Sequence, residues 1–191
     1  MYLLRHEPSP RYTWFIMEQQ NDVRVEREQR AAEIIARLKA CVPKVLAEYP
    51  VEIAYVYGSV ARATPLPSSD VDIALVLTES PLPYERLMLE LDIQAALEDS
   101  CSLSNFDVRA INQAPLMVQG PIVQEGRLLY ERDKDRRVAF EVLTRKKYFD
   151  YLPTAERMQR AFLNHIRRKG LSSGQSEDRD VHLEQHADLP E

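Results

Sequence analysis

Residues 55–77 read YVYGSVARATPLPSSDVDIALVL, and the fold turns on how this stretch divides. Its start closes a β-branched and aromatic run, Val51–Tyr57 (VEIAYVY), and its end is a second such run, Val71–Leu77 (VDIALVL). Both have the composition of buried strands. Thirteen residues, 58–70, separate them. A parallel pair needs a crossover of a dozen or more residues, usually a full helix. Gly58-Ser59 followed by Val60–Ala63 (VARA) leaves room only for a short helix, so the two strands are expected to run antiparallel.

The same stretch concentrates chemistry. Gly58 is the only glycine before Gly120, and directly after a strand it permits positive φ and close approach of another group to the backbone. A strand that turns through Gly-Ser into a helix offers backbone N–H groups to a phosphate. Ser59 adds a hydroxyl and Arg62 a guanidinium that can fork onto phosphate oxygens. Twelve residues after Gly58 comes Asp70-Val71-Asp72. Positions i and i+2 of a strand share a face, so the two carboxylates converge. Like charges this close require a cation between them, and oxygen ligands suit Mg²⁺. Asp107, in the short third strand Phe106–Ile111 (FDVRAI), would be a third carboxylate on that face if its strand lies beside the second. Three carboxylates next to a phosphate-binding turn make a two-metal nucleotidyl-transfer site.

Outward from this centre, helical spacing predicts a helix from Val23 to about Cys41, kinked or ended by Pro43. A second is predicted over Tyr84–Asp99, with Leu87, Leu91 and Ala95 on one face. A third covers Ala114–Val123, interrupted near Gly120-Pro121. Leu128–Tyr130 reads as an edge strand. The rest, to about Arg168, reads as charged helix with a break at Pro153. Residues 1–22 are read as a flexible arm, with Met17 a candidate true start, and 170–191 as a disordered acidic tail. The domain expectation is therefore 1–22 arm, 23–130 catalytic domain, 131–169 basic helical extension and 170–191 tail. The fold class is α+β: a small mixed sheet flanked by helices.

The net charge of −5 over 191 residues is unevenly spread. Residues 1–126 hold 11 basic and 18 acidic side chains, 127–169 hold 13 and 6, and 170–191 hold 1 and 6. The basic segment interleaves its acids, including the spacings Asp133–Arg137 and Glu141–Arg145. It reads first as a solvated helical face and second as a docking surface. Direct nucleic-acid binding is not expected. Cys41 and Cys101 define neither a disulfide framework nor a zinc spacing, and read as packed or idle thiols. No apolar run approaches a membrane span, and the N-terminus has no signal-peptide core, so cytoplasmic residence is expected.

Gly58-Ser59, ten residues, then Asp70-x-Asp72 resembles the signature of polymerase-β-type nucleotidyltransferases. The 55–77 stretch resembles their minimal nucleotidyltransferase (MNT) subgroup, and the likeness extends through FDVRAI to KKYFDYLP, over roughly residues 30–165. MNT proteins commonly act as antitoxins encoded beside a HEPN-domain ribonuclease toxin. The resemblance implies a polymerase-β-like palm with a C-terminal helical extension. It implies that Gly58, Ser59 and Arg62 bind the ATP triphosphate. Asp70 and Asp72 would hold two Mg²⁺ ions, with Asp107 on one of them. It implies transfer of AMP to a tyrosine of a HEPN toxin. The alternatives are a transferase for a small hydroxyl compound such as an aminoglycoside, and an antitoxin that neutralises by binding alone. One departure stands out: family members often have Gly after the Arg, where this chain has Ala63. If that position needs positive φ, alanine costs roughly 1–2 kcal/mol.

Overall fold

The two strand-forming runs pair as their short connection requires. Residues 10–169 are described by a computed structural model, in the order α1 (Pro10–Leu46), β1 (Val51–Val56), α2 (Gly58–Ala61), β2 (Val71–Leu77), α3 (Pro83–Cys101), β3 (Phe106–Ala110), α4 (Leu116–Glu125), β4 (Arg127–Glu131) and α5 (Lys134–Lys169). β1 and β2 are antiparallel. β3 lies parallel to β2, reached through the crossover helix α3, and β4 returns antiparallel to β1. The sheet order is β3-β2-β1-β4, a mixed sheet flanked by helices and hence an α+β architecture. The chain divides into two compact units, 1–152 and 153–191; within the second, residues 153–169 are helical.

Alternation along the strands builds two cores. Val71, Ile73, Leu75 and Leu77 of β2, with Ala54 and Val56 of β1, face α1 and α3. There they meet Leu38, Val42 and Leu46 of α1 and Ile93 and Leu97 of α3, all fully buried. On the other face, Ile53, Tyr55, Ala74 and Val76 pack with Ile122 of α4 and Phe140 of α5. A register shift between Val51 and Ile53 lets Val51 join the first core while Ile53 joins the second.

Edge strand β3 is covered by α3 through polar side chains. Glu90 accepts from the Ala110 N–H at 2.9 Å and Glu98 from the Phe106 N–H at 3.3 Å. Two outward-facing edge donors are thereby satisfied.

Several expectations are corrected. Leu87 and Leu91, expected on the packed side of α3, are exposed, together with Tyr84 and Met88. The buried side is Glu90, Ile93, Leu97 and Cys101. The helix has apolar residues on both sides, so periodicity identifies the helix but not its inward face. The arm expected at 1–22 is helical from residue 10, with Pro10 opening α1; residues 1–9 and the tail 170–191 lie outside the described residues. Residues 21–26 of α1 are all exposed, and an exposed turn leaves no apolar period to detect. α1, α4 and α5 each run through their internal prolines, Pro43, Pro121 and Pro153, so neither α4 nor α5 is interrupted.

Cys41 and Cys101 are joined as a disulfide, with Cα atoms 5.4 Å apart. Sixty residues of separation hide this pairing, which depends on the side-by-side packing of α1 and α3 on one face of the sheet. The basic segment is largely the solvated face expected, but one of its cations turns to the sheet. Arg137 bonds Glu131 at 2.6 Å and Glu141 at 2.9 Å, and Glu141 also accepts from the Tyr55 hydroxyl. Burial and this bond push the Tyr55 phenol well above its ordinary range. Asp133 caps α5, accepting from the Asp135 and Arg136 N–H groups, and leaves Arg137 to the sheet. Among the described residues no helix is long and apolar enough to cross a membrane.

Ile73 is fully buried at the centre of the first core. Ile73→Ala is expected to lower unfolding stability by roughly 2–5 kcal/mol, measured by urea denaturation.

Candidate active site

The end of β1, the turn into α2 and the start of β2 form one structural unit. The Tyr57 N–H donates to the Asp72 carbonyl at 3.0 Å, which sets the turn directly beside the aspartate. Gly58 has φ +67°, and a Cβ there would collide with Asp72 Oδ2. The glycine therefore serves two needs: left-handed backbone, and room for a carboxylate against the main chain. α2 starts at Gly58, and no side chain caps its first turn, so the N–H groups of Gly58, Ser59 and Val60 have no intrahelical acceptor. Ser59 is half-buried in that turn.

The three aspartates come together by strand register. Asp72 is paired with Asp107 across the parallel β2–β3 ladder. Asp70 precedes β2 and is exposed. Burial, followed by the charges of Asp107 and Asp70, raises the Asp72 carboxyl above its ordinary range, and Arg62 opposes this. Tyr57 lies on the same face, its phenol pushed up by burial and then by Asp72 and Asp107.

Two of the expected residues already stand in ion pairs. Arg62 lies 3.8 Å from Glu125 at the end of α4, and a hollow lined by Tyr57, Gly58, Ala61, Arg62, Pro121, Ile122 and Glu125 lies between α2 and α4. Asp107 Oδ1 accepts from Arg109 Nε at 2.8 Å. Among the described residues no group of three or more His, Cys, Asp or Glu is arranged to hold a metal ion. The donor set nevertheless fits a hard divalent cation: all oxygen, mutually repelling, with one carboxylate seated in a gap that a Cβ would fill. Asp70 and Asp72 would be the primary holders, with Asp107 beside them.

Sequence reasoning missed Tyr57, Arg109, Glu90 and Glu125. The i, i+2 rule that joins Asp70 to Asp72 also places Arg109 beside Asp107, and that signal was available in FDVRAI. Glu90 and Glu125 arrive from helices and leave no comparable mark.

Ala63 has φ +60°, so the alanine that replaces the family's glycine occupies left-handed backbone. Ala63→Gly is expected to stabilise the protein by roughly 1 kcal/mol, read as an upward shift in the urea midpoint. A carboxyl raised in the folded state contributes stability below its unfolded value of 3.8 and loses it as pH rises through the folded value. Asp72→Asn is therefore expected to raise the Tm of metal-free protein at pH 7 by roughly 1–3 °C. The difference from the parent should close below about pH 4, and thermal scans over that range check it.

Residues 42–135 match the family model "Polymerase beta, Nucleotidyltransferase". No curated protein matches the chain. Solved structures similar to it include a toxin–antitoxin with AMP-PNP, at 20% identity and TM-score 0.49 over 65% of this chain and 94% of that one. The MntA–HepT toxin–antitoxin is similar at 18% identity and TM-score 0.45, covering 65% and 92%. A tri-AMPylated Shewanella oneidensis HEPN toxin in complex with MNT antitoxin matches at 15% and TM-score 0.44, covering 75% and 98%. The glycine–serine turn and the register-paired aspartates all fall inside residues 42–135, the span that matches the polymerase beta nucleotidyltransferase domain.

Proposed function

We propose that the protein is a Mg²⁺-dependent adenylyltransferase and antitoxin, which moves AMP from ATP onto a tyrosine hydroxyl of a cognate HEPN ribonuclease toxin. The observation that carries the chemistry is the Asp72 carboxylate seated against the bare backbone of Gly58, with Asp70 two residues before it and Asp107 in register beside it. The partner and the acceptor come from the likeness of residues 55–77 to the MNT subgroup. Such a pair would meet in the cytoplasm, where the Cys41–Cys101 bond would be open to reduction.

In this reading the Gly58–Val60 N–H groups and the Ser59 hydroxyl hold the triphosphate. Arg62 leaves Glu125, its exposed partner, for a phosphate oxygen. Asp70 and Asp72 would hold Mg²⁺, two ions with Asp107 joining one of them. When bound, Mg²⁺ supplies charge neutralisation at the α-phosphate and a lowered pKa for the attacking hydroxyl. Asp107, with that metal, would help take up the proton of this hydroxyl. The acceptor oxygen attacks the α-phosphorus in line, the bond to the bridging oxygen breaks, and pyrophosphate leaves.

A second reading draws support from Asp107, which is engaged by Arg109: an antitoxin that occludes its toxin while the site stays idle. A small hydroxyl compound as acceptor is the third. Incubation with α-labelled ATP, Mg²⁺ and the toxin encoded alongside separates them. Label on the toxin, reduced at least about a hundredfold by Asp70→Ala/Asp72→Ala, is the expected result. Neutralisation without label supports occlusion, and label only on small hydroxyl compounds supports the third reading.

A further inference from the structure

The row of carboxylates on the site face of the sheet ends in a guanidinium that serves two acids at once. Arg109 Nε lies 2.8 Å from Asp107 Oδ1, and Arg109 Nη1 lies 3.7 Å from Glu90 Oε2. Glu90 is fixed by other means. It is buried on α3, and its Oε1 accepts from the Ala110 N–H. Arg109 itself is 58% exposed, so its side chain has room to pivot about the anchored partner.

A carboxylate oxygen that accepts a close, charge-assisted hydrogen bond presents less of its lone-pair density to a metal. A guanidinium and a divalent cation therefore compete for Asp107. Glu90 changes the terms of that competition, because an arginine that leaves Asp107 keeps a carboxylate partner and is not left unpaired over the sheet. Without any cation, Asp107 and Asp72 would face each other in register as like charges. Arg109 removes part of that repulsion.

We propose that Arg109 is a positioning residue that holds Asp107 while no divalent cation is present. It yields Asp107 to an incoming cation and remains on Glu90. This rests on the reading above that the aspartates bind a divalent metal. The pairing lowers metal affinity, and it makes Asp107 a ligand that joins only when the cation displaces an internal competitor.

Titration of the nucleotide-free protein with Mn²⁺, followed by the EPR signal of the free ion, tests this without reference to catalysis. Arg109→Gln alters an exposed side chain and is expected to tighten Mn²⁺ binding about fivefold, the upper range for an ion pair of this exposure. In an Asp107→Asn background the same substitution should have no effect, because the contested ligand is gone. Unchanged or weaker binding by Arg109→Gln overturns the proposal. Equal tightening in both backgrounds also overturns it, since that is the signature of a general charge effect. If the parent protein and every variant bind no Mn²⁺, the metal-dependent reading itself falls and this proposal with it.

Discussion

The Asp72 carboxylate lies against the main chain at Gly58, where no other residue leaves it room. That contact sets most of the site. It fixes the turn after β1 against the first residues of β2, and the Tyr57 N–H bond to the Asp72 carbonyl holds it from the backbone side. The turn in turn orients the uncapped N–H groups at the start of α2. The antiparallel β1–β2 pair is what brings these groups together across a thirteen-residue connection that holds only a short helix.

The remainder of the molecule holds that unit rigid and adds the third acid. The first core clamps β2 from below through Ile73 and Leu75, so Asp72, alternating with them, is held on the opposite face. α3 then carries the chain across to lay β3 parallel to β2, which places Asp107 opposite Asp72. From the other side, α5 is tied to the sheet by the Tyr55–Glu141–Arg137–Glu131 chain of bonds. A buried phenol, two carboxylates and a guanidinium satisfy one another there. Such a network leaves the first turns of α5, around Arg137 and Glu141, few alternative placements.

How much was legible in the sequence depended on the range of the interaction. Strand composition, connection length and the i, i+2 rule are local, and they yielded β1, β2, their antiparallel pairing and the convergence of Asp70 with Asp72. Asp107 required one further assumption, that its strand neighbours the second, and the ladder meets it. The inward face of α3 was not readable, because Tyr84, Leu87, Met88 and Leu91 make as good an apolar stripe as Ile93 and Leu97. The bond between Cys41 and Cys101 was equally hidden, since it exists only once two helices lie side by side. Arg109 was overlooked for a different reason: a cation in an edge strand looks like ordinary surface charge until Glu90 is seen beneath it.

Glu90 and Glu98 also decide how another chain can approach this one. Their bonds to the Ala110 and Phe106 N–H groups take up two of the outward donors that an added strand would use along β3. Extension of the sheet by a foreign backbone is therefore disfavoured at the edge nearest the aspartates, and among the described residues β4 forms the other margin. Under the proposed activity, a protein substrate would present its acceptor by side chains or loops more readily than by docking as a fifth strand beside Asp107. The acid that steadies Arg109 thus doubles as a guard against strand addition where the chemistry is exposed.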